Sequence, residues 1–178
     1  MALRKASSYS KRTVVAYTRI SKKKSKSYIK TVPPQKIVKF SMGNQNLYDG
    51  KKLPLLLTMV SEENVQIRHN ALESCRQFLN KVLDNNCAGA YFFKVVPFPH
   101  HIQRENKMLT GAGADRMQTG MQLSFGRAVG KAAILKPGSK IFYVAVSTPK
   151  AVSVVRKAFQ QLRSKMPGRT RVVYEEIK

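Results

Sequence analysis

The sequence predicts an α+β protein, a two-layer α/β sandwich in which two main helices cover a mixed β-sheet. Three observations predict this fold. Strand-like segments are interspersed with two segments of helical periodicity, which is typical of helices packed on a sheet. The 178 residues, 43% of them hydrophobic, suffice for one core and therefore for one domain. The first 48 residues contain no acid, which distinguishes a basic N-terminal arm, residues 1–31, from a single domain, residues 32–178.

The sequence pattern in the first half of the domain predicts two strands and one helix. Residues 36–42 predict a strand, 43–50 a loop, and the apolar run 53–60 a buried strand. Ser61 is typical of a helix N-cap, and two acidic residues follow it in the predicted first turn. Apolar side chains then recur at three- and four-residue steps, which predicts an amphipathic helix. These side chains are Ile67, Ala71, Leu72, Cys75, Phe78, Leu79, Val82 and Leu83.

The second half predicts further strands, a second helix and a long functional loop. The predicted strands are residues 91–96, 131–135, 141–146 and 170–177. The tetrapeptide KPGS at 136–139 predicts that the middle two strands form a β-hairpin. Thr148 and Pro149 predict a helix start, a capping residue followed by proline at the first helical position. Residues 100–130 are polar and glycine-rich, and loops of this length are functional or disordered.

The charge predicts a nucleic-acid partner. Thirty-three Lys and Arg stand against nine Asp and Glu, a formal net charge of +24. Twelve of the basic residues precede the first acid, Asp49. Such a charge repels itself in a compact protein and attracts polyanions. We therefore expect the arm to be disordered in the free protein and to become ordered on RNA; an anionic membrane surface is the alternative partner.

Other classes of protein find little support. No apolar run approaches the roughly 20 residues that a membrane helix needs, and the basic N-terminus lacks the apolar block of a signal peptide. Cys75 and Cys87 show no CxxC spacing and are expected to be reduced structural thiols. His69 is expected to be a satisfied structural residue, so no metal site is predicted.

The sequence does not match the common cofactor-binding and catalytic motifs either. In the run from Gly111, arginine at position 116 replaces the third glycine of a dinucleotide fingerprint. Gly126 and Gly130 are separated by one residue too few for a phosphate-binding loop, and Ala132 replaces its Ser or Thr. The adjacent His100 and His101 would point to opposite sides of an extended chain. We therefore predict no cofactor and no enzymatic activity.

The long loop carries a family resemblance. The runs HHIQRENKM, TGAGADRMQTGM and FGRAVG resemble the archaeal and eukaryotic branch of the universal large-subunit ribosomal protein sixteen family, and the archaeal form most. Segments elsewhere appear in the family's order: AYTR, YIKTVPPQKIVKFSMGN, IRHNALESCR and PHH. The resemblance covers nearly the whole chain.

The resemblance implies a hammerhead-like α/β sandwich in the cytoplasmic ribosome. Its expected partners are large-subunit rRNA of the 23S type, close to 5S rRNA, together with tRNA and neighbouring ribosomal proteins. The expected rRNA contacts are Arg4, Lys5, Lys11, Arg12, Arg19, Lys22, Lys23, Lys24, Lys26, Arg68, His100, His101, Arg104 and Arg127. Loop 107–120 would reach tRNA and the peptidyl-transferase centre through Lys107, Gly111, Gly113, Asp115, Arg116 and Gln118.

The sequence departs from the family pattern in two places. Gln122 stands where many relatives have arginine, and Arg127 is the candidate substitute. Residues 21–27 form a lysine-rich insertion whose RNA target does not carry over from the family. Two other functions remain open at this point, a free-standing RNA-binding translation or assembly factor and an RNA-modifying enzyme that uses the region from His100 to Asp115.

Overall fold

The computed structural model describes residues 31–105 and 126–177, together with Ser10, Lys23 and Ser25. Nearly all of the arm and the centre of the long loop therefore lie outside the described residues. The α+β class is confirmed. The elements are β1 (Ser41–Gly43), α1 (Gln45–Asp49), β2 (Leu55–Ser61), β3 (Val65–Arg68), α2 (His69–Cys87), β4 (Tyr91–Val95), β5 (His101–Glu105), β6 (Arg127–Leu135), β7 (Lys140–Val146), α3 (Pro149–Leu162), a 3-10 turn (Arg163–Lys165) and β8 (Thr170–Glu176).

The described strands form two sheets instead of one mixed sheet. The larger sheet has the order β1-β4-β7-β2-β8 and the smaller one β3-β6-β5. Every pairing in both is antiparallel. A parallel pair needs a crossover that returns to the same sheet. Here α2 leads from β3 in the small sheet to β4 in the large one, so it creates no parallel neighbour.

The main core lies between the helices and the large sheet. Leu79 of α2 and Phe159 of α3 are fully buried with Phe93 and Phe142 of the central strands. A second, smaller cluster around Leu56 and Phe92 lies on the opposite face of the sheet. There α1 covers it, since Tyr48 stacks on Phe92 at 4.6 Å and its hydroxyl lies 2.7 Å from that of Tyr143. The large sheet is therefore buried on both faces at its centre.

The predictions for residues 36–50 were wrong in detail. Only Ser41–Gly43 forms a strand, and the expected loop contains the short helix α1. Asn44 caps this helix, because its Oδ1 accepts a hydrogen bond from the Leu47 backbone N–H at 3.2 Å. The helix forms because Leu47 and Tyr48 pack on the second cluster, which local sequence does not reveal.

The predicted start of the long helix was also wrong. Ser61 ends β2, and its hydroxyl donates to the Glu63 carbonyl oxygen at 2.9 Å instead of capping a helix. Residues 65–68 form β3, and α2 begins only at His69. Ile67 lies four residues before Ala71, so it fits a helical stripe by spacing alone. Its pairing with Ala133 of β6 makes it a strand residue.

The predicted hairpin at 136–139 does not exist. A turn is present, with the Ser139 N–H bonded to the Lys136 carbonyl oxygen at 3.0 Å and Gly138 at φ +84°. However, β6 and β7 belong to different sheets, so the turn transfers the chain between them. The long loop is likewise shorter than expected, because β5 and β6 occupy its two ends and pair with each other.

The predictions for three strands, for the start of α3 and for the cysteines are confirmed. Strands β2, β4 and β8 lie where the sequence placed them, within one or two residues. Helix α3 begins at the predicted cap, and the Thr148 hydroxyl oxygen accepts from the Ala151 N–H. Both cysteines are free; burial raises the pKa of the Cys75 thiol to about 11, so this thiol is protonated at neutral pH. Among the described residues, no helix has the length and apolar character to cross a membrane.

Candidate nucleic-acid interface

Six of the predicted RNA-contacting residues lie within the described part of the chain. Lys23, His100 and Arg127 are exposed, Arg68 and Arg104 are half-buried, and His101 is buried. The other predicted contacts lie outside the described residues. These are Arg4, Lys5, Lys11, Arg12, Arg19, Lys22, Lys24, Lys26, Lys107, Gly111, Gly113, Asp115, Arg116 and Gln118.

The small sheet brings two of these residues into one row. Arg68 of β3 and His101 of β5 both pair with Ala132 of the central strand β6. Residues directly opposite on neighbouring strands share a face of the sheet. Two strand spacings place their Cα atoms roughly 10 Å apart. The fold thus joins positions that lie more than thirty residues apart in sequence.

The remaining two arginines lie at the end of this sheet from which the long loop departs. Arg104 pairs with Ala128, and Arg127 lies opposite Glu105, where β5 ends and β6 begins. The two strand ends that the long loop joins therefore each carry a cation. Glu105, which lies directly opposite Arg127, reduces the positive charge at that position. Arg104 and Arg127 are therefore not equivalent as phosphate contacts.

His100 and His101 face opposite ways, as an extended chain requires. His100 is exposed and its ring lies 4.6 Å from that of Phe98, whereas His101 is only 7% exposed. His100 is accordingly the accessible imidazole of the pair. The contact expected between His101 and rRNA stays a prediction, and it requires a side chain that is covered in this structure.

His69 is a buried, neutral histidine beneath this surface. Burial above all, with the positive charges of Arg68, Lys36 and Lys131, lowers its pKa to about 4. It is structural, as expected, but the expectation that it is satisfied was wrong, because Nδ1 has no hydrogen-bond partner in the described part of the chain. Its other nitrogen lies against Gly130, where an added Cβ would approach Nε2 to 3.1 Å.

A second basic surface lies at the end of α3 and was missed by the sequence analysis. A groove of about 420 Å³ is lined by Arg163, Arg169 and Arg171, with Glu62 as its acid. Arg169 approaches Glu63 at 3.6 Å, but its side chain is 84% exposed, so this pair holds it weakly. The two-residue spacing of Arg169 and Arg171 at the start of the predicted strand 170–177 was the available signal. Their convergence with Arg163 requires the tertiary structure.

Another groove lies between β1, α1 and α2. It encloses about 900 Å³ and is lined mainly by polar side chains, among them Asn44, Asn46, Asn80 and Tyr91. Sites for cofactors are predominantly apolar, so this lining does not resemble one. In addition, the described residues contain no group of three His, Cys, Asp or Glu side chains suited to a metal ion.

Comparison with known proteins decides the family. A profile of the family described as ribosomal protein L16p/L10e matches residues 16–173, which is most of the chain. The chain belongs to this family. The resemblance noted in the loop is thereby confirmed, and the match extends across both described sheets, helices α1, α2 and α3, and the loop.

The relatives are archaeal. The large ribosomal subunit protein uL16 of Methanococcus aeolicus is 41% identical over 174 residues, covering 97% of this chain and 94% of the relative. That of Archaeoglobus fulgidus is 43% identical over 150 residues, 84% of this chain and 83% of the relative. That of Methanoculleus marisnigri is 42% identical over 161 residues, with 90% and 88% covered. This L16p/L10e family member therefore resembles its archaeal relatives over nearly their full length.

Proposed function

We propose that this chain is a structural, non-enzymatic constituent of the large ribosomal subunit in the cytoplasm. The family match over residues 16–173 carries this proposal, together with relatives that bear that name. The net charge of +24 supports it, because packed rRNA helices repel one another unless cations neutralise their phosphates. The antiparallel domain would determine where the exposed cations lie, and neighbouring ribosomal proteins would complete the site.

We propose further that the partner is rRNA of the 23S type close to 5S rRNA, and that loop 107–120 helps to position tRNA at the peptidyl-transferase centre. The position of the two ends of the loop supports this division of roles. The loop joins β5 to β6, and the adjoining strand ends carry Arg104 and Arg127. The domain would contact rRNA, and the loop would extend from it towards tRNA.

Sedimentation of ribosomal subunits through a high-salt sucrose cushion tests the assignment. A constituent of the large subunit remains with it at salt concentrations that remove loosely bound factors. Recovery of the chain only in the supernatant would contradict the proposal and favour a free-standing translation or assembly factor. Turnover of rRNA or tRNA by the purified chain would instead favour an enzyme.

Substitutions in the lysine-rich insertion, residues 21–27, test how the arm binds rRNA. Replacing Lys22, Lys23, Lys24 and Lys26 by glutamine should weaken rRNA binding for all sequences alike. The log–log dependence of affinity on salt should become shallower by about 0.7 to 0.9 for each phosphate that the variant no longer neutralises. Filter binding of the full chain to rRNA at several salt concentrations measures the slope. A control with Lys136, Lys140, Lys150 and Lys157 changed to glutamine removes the same charge elsewhere, and equal slopes for the two variants would contradict a specific role of the insertion.

Replacement of the loop tests whether it has a role in positioning tRNA. Replacing residues 107–120 by a Gly-Ser linker of the same length should leave the melting temperature nearly unchanged, because the sequence offers almost no core-forming side chains there. Incorporation into the subunit should persist, while tRNA binding and peptide-bond formation decrease. Normal translation by subunits that contain this variant would refute the positioning role, and a much lower melting temperature would show that the loop is structural.

A further inference from the structure

A row of exposed side chains follows β4 along the surface. From residue 94 to 101, exposure alternates with burial, so that Lys94, Val96, Phe98 and His100 are exposed. The odd-numbered positions between them are buried or half-buried. Side chains that alternate in this way lie on one face of an extended chain. The row therefore presents one cation, one aliphatic side chain and two rings on the same side.

Two prolines hold this row in an extended conformation. Pro97 and Pro99 have restricted φ angles, and each also disfavours the helical region for the residue before it. Those preceding residues are Val96 and Phe98. The Phe98 ring is consequently displayed on a backbone with little conformational entropy left to lose. A partner that covers it gains the contact at a reduced entropic cost.

The rings form a continuous aromatic surface. Phe98 stacks on Phe40 with ring centroids 5.4 Å apart and planes at 24°, and the His100 ring lies 4.6 Å from Phe98 on a tilted plane. Phe98 remains 46% exposed, and nearby Val38 is 74% exposed. We call Phe40, Phe98 and His100 the aromatic platform. Exposed apolar surface held in place by stacking, with proline on both sides, indicates a site that is covered in the assembled state.

The charges around the platform select its partner. Lys36, Lys39 and Lys94 are exposed in the two segments that carry the platform, and no acid precedes Asp49 in the chain. The acid of α2 closest to this segment, Glu73, is held by Arg76 at 2.6 Å and accepts a hydrogen bond from the Val38 N–H. Its charge is thereby compensated. Aromatic faces with exposed lysines nearby suit a ligand with a flat ring and phosphates on either side.

We propose that the aromatic platform binds an unpaired nucleobase of RNA, stacked on Phe98, with the flanking phosphates near Lys39 and Lys94. This inference rests on the proposed function, which makes rRNA the partner, and adds to it a contact that depends on stacking instead of charge. Phe40 supports the Phe98 ring from within the domain, and His100 extends the surface towards β5.

Phe98 variants separate stacking from charge. In filter binding of the full chain to rRNA, Phe98→Leu should weaken the affinity about 5- to 150-fold, whereas Phe98→Trp should bind as well as the wild type. The salt slope should be the same in all three, because stacking releases no counterions, while Lys94→Gln should make it shallower. Ile177→Ala, which removes exposed apolar surface at the opposite edge strand, should change neither quantity. Melting temperatures verify that every variant is folded.

Two results would overturn the inference while leaving the proposed function intact. One is that the Phe98→Leu variant binds rRNA as tightly as the wild-type chain does. The other is a failure of tryptophan to maintain the affinity, which would show that Phe98 acts only by packing. Failure of the wild-type chain itself to bind rRNA would instead refute the proposed function.

Ultraviolet cross-linking in assembled subunits identifies the occupant directly. Trypsin cleaves after Lys94 and Arg104 and releases the peptide VVPFPHHIQR, which contains both exposed rings. The expected product is this peptide with a nucleotide attached at Phe98, absent from Phe98→Leu subunits. Attachment of the peptide to another ribosomal protein would refute the inference, because the platform would then be a protein interface.

Discussion

Replacing Gly43 by alanine is expected to destabilise the protein by about 3 kcal/mol. Gly43 ends β1 at φ +86°, a conformation that costs a side-chain-bearing residue free energy. The added Cβ would also lie 2.3 Å from the Tyr91 carbonyl oxygen and 2.9 Å from its ring. That carbonyl accepts a hydrogen bond from the Asn44 N–H, so it cannot move away freely. The edge strand β1 and the cap of α1 should therefore both be disturbed.

Gly138 provides the matched control. Its φ is +84°, nearly that of Gly43, but an added Cβ there would meet no atom within 4 Å. Gly138→Ala should therefore cost only the conformational part, about 1 to 2 kcal/mol. Urea denaturation of both variants gives the free energies of unfolding, and their difference measures the steric conflict with Tyr91. Equal destabilisation of the two variants would show that β1 adjusts to the new side chain without cost.

Acidification from pH 7.5 to 5 is expected to destabilise the protein through His69 by about 1 to 2 kcal/mol. The folded pKa is about 4, below the ordinary value of 6.5. Above pH 6.5 the imidazole is neutral in both states and contributes no pH dependence. Between pH 6.5 and 4 the unfolded chain binds a proton that the folded chain excludes, so stability decreases as pH falls. The cause is burial beside Arg68, Lys36 and Lys131, where a further positive charge is unfavourable.

His69→Gln isolates this effect, because glutamine is neutral over the whole range. The variant should lose less stability than the wild type between pH 7.5 and 5. The Arg76 guanidinium lowers the pKa of Glu73, whose contribution disappears only as the pH falls below the ordinary carboxyl range. It therefore does not disturb the chosen window. Parallel curves for wild type and His69→Gln would contradict the assignment to His69.

Elements whose signals are local could be predicted from the sequence. The start of α3 was predicted correctly because Thr148 and Pro149 form a cap within one turn, and β4 because it is a short apolar run before a proline. The strand β3 could not be predicted, since Val65 and Ile67 fit both a strand and the helical stripe that follows. Helix α1 was missed because Leu47 and Tyr48 are stabilised by Phe92, more than forty residues away.

The features of the candidate interface also differ in whether the sequence alone could predict them. The amino-acid order was enough to show that the protein is basic, that its first 48 residues carry half of the net charge and, through the loop motifs, which family it resembles, because these properties are sums or continuous runs of residues. Folding was needed to show that Arg68 and His101 share a row, that Arg163 meets Arg169 and Arg171, and that Phe40 stacks on Phe98. Each of these arrangements brings separate elements together. They depend on which sheet a strand joins and in which register, and only the packing of the whole core settles both.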